Sequence, residues 1–210
     1  VRAREQARVQ RDGRNAGRTL YELLPPQKGF GFERLPSPSP GDLFFDLESD
    51  PYAQETGREY LFGWALVDPS GQPEYRCLWG LAAPAERAAF ETFVGLVMRR
   101  WAEHPDLHIY HFAPYEPAAM KRLMGRYATC ENEIDRMLRA GLFVDLHAVL
   151  RQALRASVEE YSLKKIEALY DFRRAVDLKE AGVQLRRVQR ALELGRPGGI
   201  DDETRRIVQA

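Results

Sequence analysis

Apolar and polar positions alternate with period two from Leu43 to Glu48, the pattern of a strand with two unlike faces. Leu43, Phe45 and Leu47 make one face wholly apolar. Phe44, Asp46 and Glu48 make the other, and residues i and i+2 of a strand point the same way, so both carboxylates leave one surface. Glu59–Val67 (EYLFGWALV) and Glu74–Gly80 (EYRCLWG) predict two more strands. DPSGQP between them reads as a hairpin turn, since Pro fixes φ and Gly supplies the special dihedrals. Three strands with short connections predict an antiparallel meander. From about Pro84 to Glu103, Phe90, Phe93, Val94, Val97, Met98 and Trp101 recur at helical spacing. His108–His111 is a short strand, and strand, helix, strand implies a parallel addition to the sheet.

Downstream, helices are expected over about Pro117–Tyr127 and Glu131–Arg139, then a short strand at Leu142–Asp145. Helices follow near Leu146–Arg155, Ser162–Leu169, Leu178–Leu194 and Asp201–Ala210. Pro117 reads as the first helical residue, Asp145 as the cap of the helix starting at Leu146, and Ser162 as another cap. The order predicts an α/β fold, a mixed sheet of three antiparallel strands and then parallel ones, flanked by helices.

The pattern weakens before Gly41. Residues 1–20 carry Arg2, Arg4, Arg8, Arg11, Arg14 and Arg18 with few apolar anchors and read as an exposed helix or arm. KGFGFERLPSPSP (28–40) is rich in Gly, Pro and Ser and reads as a linker. The expected organisation is therefore an arm and linker over 1–40 and a compact domain over 41–210.

Composition narrows the class. The chain has 210 residues, 44% of them hydrophobic, with 31 Lys+Arg against 31 Asp+Glu. No global field steers it to nucleic acid, so any such contact must come from local charge. No apolar run reaches transmembrane length and the charged N-terminus has no signal-peptide core, so no membrane partner and a cytoplasmic location are expected. Cys77 and Cys130 stand far apart, without disulfide or zinc spacing. A first residue other than Met suggests a piece of a longer protein.

Two like charges on an otherwise apolar strand call for a cation, and clustered oxygen ligands suit Mg²⁺ or Mn²⁺. The competing reading is a strand end running into the polar turn Ser49-Asp50-Pro51. Glu116 could join Asp46 and Glu48, or simply favour a helix N-terminus. Asp145 is a helix cap or a rim residue. Lys164 and Lys165 read as a solvated face or as phosphate contacts.

Together, D-x-E on the first strand, H-x-x-x-Y-E after a later strand, F-V-D-L and Y-S-L-K-K-I-E resemble the DEDD superfamily. Its members are 3′–5′ exonucleases with a ribonuclease H-like fold. Within it, the chain is most similar to the RNase-H-like domain of RecB-like nuclease/helicase fusion proteins, over Gly41 to Ala210. The resemblance implies that Asp46 and Glu48 match the first exonuclease motif, and His111, Tyr115 and Glu116 the second, which usually reads N-x-x-x-(F/Y)-D. His111 stands for its Asn and Glu116 for its Asp. The final Tyr- or His-bearing motif has no match here, and its Asp is expected beyond Ala210.

The resemblance further implies two-metal hydrolysis of a phosphodiester. Asp46 would bridge the ions, Glu48 and Glu116 would each hold one, and His111 and Tyr115 would line the site. Lys164, Lys165, Arg186 and Arg187, with Arg173, Arg174 and Arg190, would contact phosphates of DNA or RNA. Nuclease and helicase domains of the same parent chain are the implied protein partners. Two other classes compete: an inactive RNase-H-like module that docks nucleic acid or neighbouring domains, and a metal-dependent phosphatase.

Overall fold

The structure, a computed structural model, describes residues 2–68, 70–170 and 172–209. In chain order it contains α1 (Arg2–Ala16), β1 (Tyr21–Leu23), β2 (Leu43–Asp50), β3 (Arg58–Val67) and β4 (Pro73–Trp79). Then come α2 (Ala83–Glu103), β5 (Ile109–His111), α3 (Tyr115–Tyr127), α4 (Glu131–Arg139) and β6 (Phe143–Asp145). The remainder is α5 (Leu146–Ala153), β7 (Leu154–Ala156), α6 (Leu163–Ile166), α7 (Leu178–Glu193) and α8 (Asp202–Gln209). Pro69 of the expected turn and Ala210 of the expected last helix lie outside the described residues. The chain divides into two compact units: Val1–Ser37 with His111–Ala113 and Val144–Arg173, and Pro38–Tyr110 with Pro114–Phe143 and Arg174–Ala210.

The second unit is built on the sheet. Strand order is β4-β3-β2-β5-β6, a mixed sheet flanked by helices, as expected. β3 is apolar on both faces and buried almost throughout, which fits it for an interior position between β2 and β4. Both neighbours pair antiparallel with it, and β5 joins β2 in parallel. The turn after β3 is held by Asp68, whose carboxylate accepts from the N–H groups of Ser70 and Gln72 at 2.8 Å each. Leu43, Phe45 and Leu47 of β2 face a core closed by Phe90, Phe93, Val94 and Val97 of α2, with Met120 and Leu123 of α3. The rings of Phe45 and Phe93 stack with centroids 4.0 Å apart. Each such buried side chain contributes roughly 1.5–3 kcal/mol over an exposed one.

The alternation of β2 is interrupted between Glu48 and Ser49 by a bulge. Glu48 pairs with Leu61 and Ser49 with Glu59, leaving Tyr60 of β3 as the extra residue. Asp50, placed in a polar turn by the competing reading, is buried and still paired, opposite Arg58.

Several expected boundaries move. Helix α3 begins at Tyr115, so Pro117 is its third residue rather than its first. Pro at that depth still costs no hydrogen bond, because the first four N–H groups of a helix have no partner within it. Helix α5 stops at Ala153 and the next three residues are a strand. Ser162 precedes α6 but its side chain makes no capping hydrogen bond; its carbonyl accepts from Lys165 and Ile166 instead. Asp145 does cap α5, accepting from Ala148 N–H at 3.1 Å.

In the first unit, α1 is a packed helix rather than an exposed arm. Val9 is buried, and Gln6 and Gln10 donate to the carbonyls of Ala156 and Val158 at 2.8 and 2.9 Å. Gly13 permits this approach, since a Cβ there would stand 2.2 Å from Ser157 Oγ. β1 and β7 form an antiparallel ribbon, Tyr21 opposite Ala156 and Leu23 opposite Leu154. Within the stretch read as a linker, Gly31–Arg34 forms a 3-10 turn, with Gly31 N–H donating to Gln152 at 3.1 Å.

Candidate active site

Asp46 pairs directly across the sheet with Gly63, and Gly63 with Cys77. One row further, Glu48 faces Leu61 and Leu61 faces Trp79. Cross-strand partners share a face, so Asp46 and Glu48 lie on the same side as Leu61, Cys77 and Trp79, away from the main core. Part of this second face is covered by α7, whose Val188 and Leu192 pack into a cluster with Leu61, Cys77 and Trp79.

Glu116, in the first turn of α3, is buried and approaches the same place. Asp46 feels both other carboxylates and is hydrogen-bonded to Glu116. Its side chain is exposed to solvent yet crowded by surrounding protein atoms. This crowding is the first cause, and the charges of Glu48 and Glu116 the next, that push its pKa up to about 7.

A hydrogen-bond network fixes the approach of α3. Tyr115 Oη lies 2.6 Å from Ser49 Oγ and 2.7 Å from Glu59 Oε2. Arg122, two helical turns along the same face of α3, donates to Glu59 Oε1 at 2.8 Å and lies over the Tyr115 ring, 5.2 Å from its centroid. Burial first, then its bond to Glu59, pushes the Tyr115 phenol up to about 12, the Ser49 hydroxyl opposing. Tyr115 is thus a packing and anchoring residue in this arrangement. Behind it, buried Glu86 of α2 accepts from Arg58 Nη1 at 2.8 Å, Arg126 Nη1 at 3.0 Å, the Glu59 N–H at 2.5 Å and the Tyr127 hydroxyl. The start of β3, α2 and α3 are locked together there.

The structure therefore brings Asp46, Glu48 and Glu116 together within the second unit, and places Arg186 and Arg187 there too, exposed on α7. His111, Asp145, Lys164 and Lys165 belong to the first unit. His111 is buried, its Nδ1 2.6 Å from the Ala113 carbonyl, and Asp145 accepts from Ala113 N–H at 3.1 Å besides capping α5. Lys164 and Lys165 are exposed on α6.

A family model described as the RNase H superfamily matches residues 43–184, two thirds of the chain. The chain belongs to the RNase H superfamily. No curated protein and no solved structure matches it. The matched span holds Asp46, Glu48, His111, Tyr115, Glu116, Asp145, Lys164 and Lys165, and it ends just before Arg186 and Arg187.

RNase H superfamily nucleases generally use divalent metal ions, and the donor chemistry here suits them: three carboxylates, all hard oxygen ligands, whose mutual repulsion a cation would relieve. The side chains are not set in a ligating arrangement. Among the described residues, no three His, Cys, Asp or Glu side chains stand as a metal site. Asp46 is hydrogen-bonded to Glu116 instead.

Tyr75 was invisible in the sequence as a site residue. It pairs with Ala65, beside the Gly63–Asp46 row, and its ring leans over the bare backbone of Gly63. A Cβ at Gly63 would stand 2.6 Å from the Tyr75 hydroxyl. Burial first, then the charges of Cys77, Asp46 and Glu48, raises the Tyr75 phenol above its ordinary value. The available signal was a glycine inside an otherwise apolar central strand, which marks a close approach.

Proposed function

We propose that this RNase H superfamily domain hydrolyses phosphodiester bonds of nucleic acid as a metal-dependent nuclease, acting as a 3′–5′ exonuclease of the DEDD type. The observation that carries the reading is the pair Asp46 and Glu48 on one sheet face, with Glu116 of α3 beside them. Such a cluster is costly unless it serves a cation or a proton transfer.

Asp46, Glu48 and Glu116 would hold two Mg²⁺ or Mn²⁺ ions, with Asp46 shared between them. When bound, such ions lower the pKa of an attacking water and stabilise the departing oxygen. Asp46 would bind such an ion as the deprotonated carboxylate, and the network of Tyr115, Glu59 and Ser49 holds the first turn of α3, which carries Glu116. Arg186 and Arg187 supply phosphate contacts from the helix that covers the other half of the same face; such contacts position a backbone and carry no sequence information. Lys164 and Lys165 are assigned the same role on α6. We further place the domain in the cytoplasm, within a longer protein carrying nuclease and helicase domains. Among the described residues no helix is long and apolar enough to cross a membrane.

The test is Mn²⁺ titration by calorimetry together with release of nucleotides from end-labelled DNA and RNA oligonucleotides. Mn²⁺ binding and Mn²⁺-dependent release, both lost in Asp46→Asn, are expected. Binding that survives in Asp46→Asn would remove the carboxylate site. Binding without any release from either polymer would leave a metal-binding docking module.

A further inference from the structure

The first twenty residues carry six arginines and two acids, in a chain with no net charge overall. On α1 those charges are sorted by face. Gln6, Val9, Gln10 and Gly13 make the side packed against β7 and the residues that follow it. At about 100° per residue, Arg4, Arg11 and Arg14 fall within one arc of about 80° on the opposite side, and all three are exposed.

The acids lie to one side of that arc and are engaged. Arg8 donates to Glu5 at 2.9 Å, to Asp12 at 3.4 Å and to Glu22 of β1 at 2.7 Å. Arg4 and Arg14 have no hydrogen-bond or ion-pair partner among the described residues. Arg11 holds only its neighbour Asp12, at 2.9 Å, and a surface pair of that kind is weak enough to exchange for another anion.

Two ordinary explanations fall short. A cation in the last turn complements the helix dipole, which accounts for Arg14. Arg4 stands in the first turn, where the same dipole opposes it. A helix lying in a membrane surface needs an apolar face to bury, and the one large apolar side chain of α1, Val9, is already buried within the protein.

We propose that α1 is a second nucleic-acid surface, on which Arg4, Arg11 and Arg14 grip the phosphates of duplex DNA. At 1.5 Å per residue, Arg4 stands about 15 Å from Arg14 along the helix. Long side chains bring these two to phosphates on either side of a major groove roughly 12 Å wide. A guanidinium suits the task because it donates two parallel hydrogen bonds to one phosphate. Ala7, exposed on the same arc, is small and lets a backbone approach. Gln6 and Gln10 tie α1 down one turn apart, so the row of cations is fixed before a ligand arrives. A fixed row matches the regular phosphates of a duplex, whereas a flexible single strand has no set spacing to match. The surface goes beyond the carboxylate chemistry and would serve a docking module equally.

The test is anisotropy of a fluorescein-labelled DNA duplex of about 20 base pairs with the intact chain in EDTA, over a series of salt concentrations. Each phosphate neutralised contributes a slope of about −0.9 in log K against log salt. The triple variant Arg4→Ala, Arg11→Ala, Arg14→Ala should therefore flatten the slope by about 2.7, and each single variant by about 0.9. Wild type should then lose about 40-fold more affinity than the triple variant between 50 and 200 mM salt. The triple lysine variant, which keeps the charges, should keep the slope. Equal slopes for wild type and the triple alanine variant would overturn the surface. So would a single strand of the same length bound as tightly as the duplex, or equally arginine-dependent binding to phosphatidylserine vesicles. Binding in EDTA does not involve the metal chemistry, so absence of Mn²⁺-dependent release would retire the nuclease reading and leave this surface standing.

Discussion

Tyr115 Oη sits 2.7 Å from the Glu59 carboxylate and so joins the helix that carries Glu116 to the strand that runs beside Asp46. With one proton, the phenol donates to Glu59 and accepts from Ser49, which lies opposite the β3 bulge at Tyr60. Glu59 is buried and its charge is balanced by Arg122. Tyr115→Phe should therefore destabilise the protein by about 1.5–3 kcal/mol, the usual range for a hydrogen bond to a charged group. Urea unfolding measures that. Mn²⁺ affinity should fall with it; unchanged Mn²⁺ affinity would show that Glu116 does not depend on this anchor.

Asp46 has the opposite electrostatic sign. An isolated Asp titrates near 3.9, and in the folded chain Asp46 is pushed up to about 7 by crowding and by Glu48 and Glu116. Between those values the folded state holds more protons than the unfolded one. Stability is therefore lost as pH rises from about 4 to 7 and stays low above it. Because Asp46 is exposed to solvent, the effect is on the order of 1 kcal/mol rather than the full shift. In EDTA at pH 8, Asp46→Asn should melt at a higher temperature than wild type. In excess Mn²⁺ wild type should recover the difference and the variant should not.

Metal binding should release a proton below pH 7, the one held by Asp46. Calorimetry at pH 6 in buffers of different ionisation enthalpy should report about one proton lost for the site that contains Asp46, falling towards zero by pH 8.

Glu86→Ala should be the most damaging of the single substitutions considered. It leaves the Arg58 guanidinium, 3% exposed, without its carboxylate, and breaking a buried pair by removing one partner costs about 3–5 kcal/mol. Glu86→Gln, which keeps the shape and one acceptor, should cost less. Denaturant midpoints for the two variants decide this.

Charge reversal of Arg186 and Arg187 should weaken oligonucleotide binding and flatten its dependence on salt, with stability changed by under about 0.5 kcal/mol because both are exposed on α7. Unchanged binding would remove α7 from the substrate path.

The long periodic elements were legible in the sequence, and the short ones were not. β2, β3, β4 and α2 announce themselves by period and length, and the D-x-E pair on β2 follows from its alternation. Nothing local marks Tyr21–Leu23 or Leu154–Ala156 as strands, because three residues hold no period and their pairing is set by distant chain. The bulge at Tyr60 was equally hidden, as were the burial of Asp50 and the contact of Ser49 with Tyr115. Nothing in the local sequence marks Glu59 and Glu86 as buried, since the arginines that make their burial tolerable come from elsewhere in the chain. Tyr75 read only as a strand residue, its reach towards Asp46 being created by the missing side chain at Gly63.

The ribbon of β1 and β7 carries a kinetic consequence. Gln6 and Ala156, 150 positions apart, are joined by a hydrogen bond, and the ribbon beside them spans almost as much chain. Closing such a loop in an unfolded chain costs entropy that grows with the logarithm of its length. Once the meander and its helices have condensed, the ends of the loop are tethered by a far shorter effective path. The first unit should thus assemble late and open early, and its amides should exchange with solvent sooner than those of β3.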